Sequence, residues 1–117
     1  MSFKFLNQVL YEQLRQYTKD LFVLTGSFPS YESSGLIPQI RNLGTSLLED
    51  FAESSTRFSE SDVPKTLEKC ILSIAKITAL LDLSFQLKYV NQTTHHKWIL
   101  ASEDLTRRLY DTRKESK

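Results

Sequence analysis

The side chains best suited to chemistry in this sequence are three carboxylates at helical spacing, Glu49, Asp50 and Glu53. Carboxylates that project into the middle of a four-helix bundle can hold a pair of metal ions. Such a site also needs Glu-x-x-His motifs, and this sequence has none. We therefore expect an acidic surface patch that pairs with Arg41 or Arg57, in a chain with no catalytic residue, no metal site and no cofactor. A carboxylate-bridged metal enzyme is the least favoured alternative.

The two histidines, His95 and His96, are the other candidate metal ligands. Neighbouring side chains on a helix point about 100° apart, so these two imidazoles cannot share one metal ion without rearrangement. We expect both of them to be solvated at the start of a helix.

Basic side chains collect in the second half of the chain and are the stronger candidates for binding. Residues 1–60 carry five basic and seven acidic side chains, and residues 61–117 carry ten and seven. Lysine and arginine on one surface can contact phosphates without reading a nucleotide sequence. The alternative is that they stabilise helix C-termini and hydrate the surface, since the formal net charge is only +1. The candidate nucleic-acid-binding residues are Arg107, Arg108, Arg113, Lys114, Lys65 and Lys69.

Four amphipathic helices must position these side chains. Apolar residues recur at steps of three and four over approximately residues 3–25, 34–54, 62–88 and 94–112, which predicts a helix in each range. The sequence has only three glycines and three prolines, too few for the many turns of a β-sandwich or barrel. Short connections favour antiparallel neighbours. We therefore predict that residues 1–117 form one all-α domain, an antiparallel up-and-down four-helix bundle.

The third predicted helix is apolar over more of its circumference than a bundle interior covers. One stripe includes Ile74 and Ile77, and a second contains Leu80, Leu83 and Leu87. A bundle helix normally buries only one stripe. Either this helix lies in the middle of the domain or its second stripe meets another subunit. In the second case, Leu80, Leu83 and Leu87 are the candidate oligomer interface.

Cysteine content and hydropathy predict a cytoplasmic protein. The single Cys70 cannot form an internal disulfide and lies in an apolar pattern, which fits a buried thiol in a reducing compartment. The N-terminal residues lack the apolar run and small-residue cleavage site of a signal peptide. No stretch approaches the ~20 apolar residues of a membrane-spanning helix, so we expect no export and no membrane partner.

Four segments of the chain form an ordered set that helical periodicity alone does not explain. They are LTGSFP at residues 24–29, GLIPQIR at 35–41, SLLEDFAE at 46–53 followed by Arg57, and LSIAKI at 72–77. In order and spacing they follow four segments of a known protein family. These are L-T-x-S-F-P, G-L-x-x-Q-I-R-R, S-I-P-x-N-I-A-E-G-x-x-R and G-S-L-x-E-L-E. The chain thereby resembles the S23-like family of bacterial four-helix-bundle proteins, named after members encoded in intervening sequences of large-subunit ribosomal RNA genes.

The chain departs from the family pattern at several positions in or next to these segments. Leu48 stands where the family has proline, Asp50 replaces asparagine and Ser54 replaces glycine. Lys76 and Thr78 stand where the family usually has glutamates. The chain is therefore a divergent relative, and a polar site shared by the family is not expected here.

The resemblance implies a homo-oligomer, in known relatives a ring of five subunits, which would cover the second stripe of the third helix. A related branch consists of accessory proteins of diversity-generating retroelements, which bind nucleic acid and partner with a reverse transcriptase. We therefore expect a non-catalytic pentameric binding module whose partners are its own copies, RNA or DNA, and a reverse transcriptase. The alternative is a protein–protein scaffold that binds no nucleic acid, which the near-neutral charge favours.

Overall fold

The structure is a computed structural model that describes residues 3–56 and 62–115 of the chain. These residues are helical and contain no strand, which confirms the all-α prediction. The four helices, packed as a bundle, are α1 (Val9–Thr25), α2 (Leu36–Thr56), α3 (Val63–Gln86) and α4 (Gln92–Glu115), with short 3-10 turns at Lys4–Asn7 and Ser30–Glu32. No helix in the described ranges is long and apolar enough to cross a membrane.

The first helix differs from its predicted range because the chain breaks at Gln8. This residue is extended, with φ −77° and ψ 137°, and it separates the turn at Lys4–Asn7 from α1. The apolar spacing continues across the break, so periodicity alone did not reveal it. The fourth helix begins at Gln92 and continues through the basic segment that follows residue 112.

The bundle interior is formed by aliphatic side chains from all four helices. The largest fully buried ones are Leu14, Leu21, Ile40, Leu47, Leu67, Ile74, Ile77 and Leu109. Burying one such side chain contributes about 1.5–3 kcal/mol relative to leaving it in water. Helix α2 packs most extensively against α3, α3 also packs against α4, and α1 packs against α2. By contrast, α1 touches α4 at few points.

A close approach between α1 and α2 occurs at Gly44. The hydroxyl of Thr18 donates hydrogen bonds to the carbonyl oxygens of Gly44 (3.2 Å) and Leu14 (3.0 Å). A Cβ atom at position 44 would lie 3.0 Å from Cγ2 of Thr18 and 3.3 Å from Cδ1 of Leu21. The glycine therefore lets the two helices meet at their backbones.

Arg41 joins the end of α1 to α2. Its Nε donates to Oγ1 of Thr25 (2.9 Å) and its Nη2 donates to the carbonyl oxygen of Phe22 (3.0 Å). The guanidinium also lies 4.9 Å from the centroid of the Phe22 ring. Arg41 thus satisfies carbonyl groups at a helix C-terminus, and the prediction that it pairs with the acidic patch was wrong. The other predicted partner, Arg57, lies outside the described residues.

Glu32 connects the α1–α2 loop with the α3–α4 loop. Its Oε1 accepts the backbone N–H of Leu36 at 3.1 Å, which caps the start of α2. Its Oε2 accepts the hydroxyl of Tyr89 at 2.8 Å. Helix α3 ends just before Tyr89 in a Schellman motif, in which Lys88 takes the left-handed conformation with φ 70°. One end of the bundle is therefore held by a carboxylate between two loops.

Candidate functional site

The structure brings candidate basic residues from α3 and α4 to one end of the bundle, which we call the basic end (Lys65, Lys69, Arg113 and Lys114). The contact that joins the two helices there is an ion pair between Arg113 and Glu68. Lys65 and Lys69 lie within one turn of Glu68 on α3, and Lys65, Lys69 and Lys114 are exposed. Cations from two separate segments of the sequence therefore share one surface.

Acidic neighbours neutralise the remaining candidate arginines. Asp104 accepts a hydrogen bond from Nε of Arg108 at 2.9 Å and also pairs with Arg107. Both pairs are exposed, so each contributes little to stability. Their effect is instead to lower the positive potential of this stretch of α4, which weakens its attraction for phosphates.

Within the carboxylate cluster, Asp50 and Glu53 lie near Cys70 of α3, whereas Glu49 is exposed. Partial burial raises the pKa of Asp50 above its ordinary value, and the nearby Lys69 ammonium opposes that rise. Burial also raises the pKa of the Cys70 thiol to about 12, so this cysteine is a protonated core residue. Within residues 3–56 and 62–115, no three His, Cys, Asp or Glu side chains are grouped so that they could hold a metal ion.

His95 links α4 to α3. Its Nε2 lies 3.0 Å from Oδ1 of Asp82, and its ring stacks on Phe85 with a centroid separation of 4.3 Å. The side chain of His95 is only 19% exposed. The prediction of a solvated imidazole was therefore wrong for His95, because the preceding helix supplies both an aromatic face and a carboxylate.

An apolar stripe covers part of the outer face of α3. Of the predicted interface residues, Leu83 and Leu87 are 44% and 45% exposed, whereas Leu80 is half-buried against the core. Sequence reasoning missed Leu72, which is 57% exposed, although spacings of three and four residues connect it to Leu83. We define the α3 stripe as Leu72, Ala75, Ala79, Leu83 and Leu87, all of which are exposed.

A groove of about 550 Å³ lies between α1 and α4, where these two helices make few contacts. Inside it, the Tyr17 and Trp98 rings meet edge to face at 5.1 Å, and the Tyr17 hydroxyl lies 2.8 Å from Oγ of Ser102. Burial raises the pKa of Tyr17 to about 12. We define the α1–α4 groove by Tyr17, Asp20, Val23, Trp98, Ala101 and Asp104.

Comparison with known proteins identifies the family. The model of the 23S rRNA-intervening sequence proteins matches residues 7–111, which include all four helices except the last residues of α4. The chain belongs to this family. No curated protein sequence matches it.

Several residues that carry the resemblance to the 23S rRNA-intervening sequence proteins are structural in this member. Thr25 and Arg41 form the hydrogen bond that closes the α1–α2 connection. Phe28 is buried in that connection, where its ring packs 5.4 Å from the ring of Tyr89. Two of the four family segments, residues 24–29 and 35–41, therefore meet at the α1–α2 connection, whereas Asp50 of a third segment lies near Lys69 of the basic end.

Proposed function

We propose that this member of the 23S rRNA-intervening sequence protein family is a non-catalytic, homo-oligomeric binding module. In this proposal the chain is one domain, an antiparallel up-and-down bundle. Support for that topology comes from α3 and α4, where the earlier residue Glu68 pairs with the later residue Arg113, and Asp82 pairs with His95. The buried, unpaired Cys70 is compatible with a reducing cytoplasm. The assembly we propose is a ring of five subunits.

We propose further that the basic end binds nucleic acid through phosphate contacts. The observation that carries this proposal is the Arg113–Glu68 ion pair, which holds the C-terminus of α4 beside the N-terminal half of α3. Lys65, Lys69 and Lys114 are thereby presented together. A ring repeats this surface once per subunit, so modest contacts at each copy add along one nucleic-acid molecule. A reverse transcriptase is the enzyme partner that we propose.

The experiment is salt-dependent binding to labelled structured RNA and duplex DNA, with the particle mass measured on the same sample. Replacing Lys65 and Lys114 by glutamate should weaken binding at least tenfold and lower the salt slope by about 1 for each phosphate that the protein no longer neutralises. A matched control changes Lys4 and Lys19 to glutamate, because these lysines are exposed but lie outside the basic end. Equal decreases in affinity in both double variants would contradict the assignment of the basic end.

A second candidate function is a protein–protein scaffold that does not bind nucleic acid. It is supported by the pairing of Arg107 and Arg108 with Asp104 and by the formal net charge of +1. Under this alternative, wild-type protein remains oligomeric and shows no binding to RNA or DNA even at low salt. That outcome would replace the nucleic-acid proposal.

A further inference from the structure

Two apolar surfaces of this chain lie on different helices, and neither is covered within the described chain. In the α3 stripe, Leu72, Leu83 and Leu87 remain 57%, 44% and 45% exposed. In the α1–α4 groove, Val23 is 73% exposed. Contiguous apolar area of this kind is typical of interaction sites.

The two surfaces have complementary shapes. The stripe runs along the exposed side of one helix, and its middle is formed by the small residues Ala75 and Ala79, which permit a close approach. The groove is the hollow between α1 and α4, which is the form that receives a helix. Residues 72–87 of α3 span about 22 Å, and the groove-lining segment 13–24 of α1 spans about 16 Å, at 1.5 Å per helical residue. One helix can therefore fill the length of the groove.

The charges are complementary as well. Lys76 is exposed on α3 between Leu72 and Leu83. The groove is lined by two carboxylates, Asp20 and Asp104, against a single ammonium, that of Lys97. Asp104 already pairs with arginines of its own helix, which leaves Asp20 as the carboxylate for Lys76.

A buried acceptor in the groove also lacks a donor. The Oε1 atom of Gln13, which lines the groove, is buried and has no hydrogen-bond partner in the described chain. Buried polar atoms in folded proteins are nearly always paired with protein or ordered water, so this oxygen can accept a hydrogen bond from an occupant of the groove.

We propose that the α1–α4 groove receives the α3 stripe of a second copy of this chain, in a head-to-tail interface. The inference rests on the homo-oligomer of the proposed function and identifies the two surfaces that join. Because these surfaces differ, each added copy still presents one free stripe or groove, and the contacts are all satisfied only when a ring closes. Pairing of two α3 stripes would instead leave the groove empty and place two Lys76 ammoniums on one apolar seam.

Two variants test the two surfaces of this interface independently. The stripe variant carries L83E and L87E, and the groove variant carries D20R and V23R. All four positions are exposed, so both variants should retain the wild-type circular dichroism and melting temperature. A matched control is L6E, because Leu6 is also 45% exposed but belongs to neither surface. Particle mass is measured for each variant alone and for the equimolar mixture of the first two.

We expect each interface variant alone to be a monomer of 13.6 kDa, while L6E keeps the wild-type mass. The mixture should form a 1:1 complex of twice the monomer mass, because the intact groove of one variant receives the intact stripe of the other. If the stripe variant dissociates while the groove variant keeps the wild-type mass, the head-to-tail pairing is overturned in favour of stripe-to-stripe contact. If both interface variants keep the wild-type mass, the proposed interface is wrong but the proposed homo-oligomer is not. A monomeric wild type would overturn both the interface and the homo-oligomer.

Discussion

Helix α1 has two neighbours, and it packs against them in different ways. Towards α2 it forms a sealed seam, which we define by Thr18, Thr25, Arg41 and Gly44, with backbone-close packing and hydrogen bonds that are buried or partly buried. Towards α4 it forms an open seam, whose contacts include those of Tyr17 with Trp98 and Ser102 around the α1–α4 groove.

The difference between these seams separates stability from binding on one helix. The sealed seam contains two of the residues through which the chain resembles its family, Thr25 and Arg41, and it excludes water from the α1–α2 contact. The open seam leaves apolar side chains such as Val23 exposed. Substitutions should therefore destabilise the fold at the sealed seam and change assembly at the open one.

The largest expected effect is at Leu21, a fully buried residue next to Gly44. Replacing Leu21 by alanine should lower the free energy of unfolding by about 3 kcal/mol, because burial is lost and a cavity remains. The same truncation at Val23, which faces the open seam and is 73% exposed, should change stability by less than about 0.5 kcal/mol. Urea denaturation measures both, and equal decreases in stability would refute the division between the seams.

The open seam should weaken at high pH. Burial raises the pKa of Tyr17 from its ordinary value of 10.0 to about 12, so the unfolded chain releases this proton first. The contribution of protonated Tyr17 to the free energy of unfolding is therefore complete below pH 10 and is lost as the pH rises towards 12. A shift of this size corresponds to about 2–3 kcal/mol.

Replacing Tyr17 by phenylalanine isolates this contribution. Cys70 has a raised pKa in the same range, but its thiol is present in both proteins and cancels in the difference. We expect the stability difference between wild type and the variant to shrink as the pH rises from 10 to 12. A constant difference across that range would show that ionisation of Tyr17 is not coupled to unfolding.

A methyl group at position 44 should destabilise the sealed seam. Alanine favours a helix over glycine by about 0.5–1 kcal/mol, but its Cβ would meet Thr18 and the fully buried Leu21. Since two hydrogen bonds hold Thr18 in place, we expect a net loss of about 1 kcal/mol from Gly44→Ala. Adding Thr18→Ser removes the Cγ2 methyl group that would clash with the new Cβ but keeps the hydroxyl. The double variant should therefore recover part of the lost stability. Additive destabilisation would indicate that the steric contact is not the cause.

The sequence predicts the bundle interior better than the spacing between its helices. Apolar spacing identifies Leu14, Leu21, Ile40 and Leu47 as inward-facing, because each helix must bury one side whatever its neighbours are. The same spacing does not show how far apart two helices stand. The sequence therefore did not reveal the α1–α4 groove, and it placed Leu80 on the outer surface, although this side chain packs partly against the core.

Polar contacts between distant segments were harder to predict than apolar burial. Arg41 bonds to Thr25 and the Phe22 carbonyl, and a charge pattern cannot distinguish such a cap from an ion pair with nearby carboxylates. Likewise, Lys88 takes a left-handed conformation that is more typical of glycine, so its residue type gave no sign of that conformation. Each of these features depends on which atoms the fold brings together.

The smallest expected effect on stability is at Asp104, on the open seam. Its ion pairs with Arg107 and Arg108 are exposed, so Asp104→Asn should change the free energy of unfolding by no more than about 0.5 kcal/mol. The same change removes one negative charge and releases two guanidinium groups beside the groove. Affinity for RNA should therefore rise a few-fold at low salt, with a steeper salt dependence, if Arg107 and Arg108 can reach phosphates.

Glu103→Gln is the matched control, because it removes an exposed charge from the neighbouring position. An equal rise in affinity in both variants would mean that net charge, rather than release of these two arginines, governs binding.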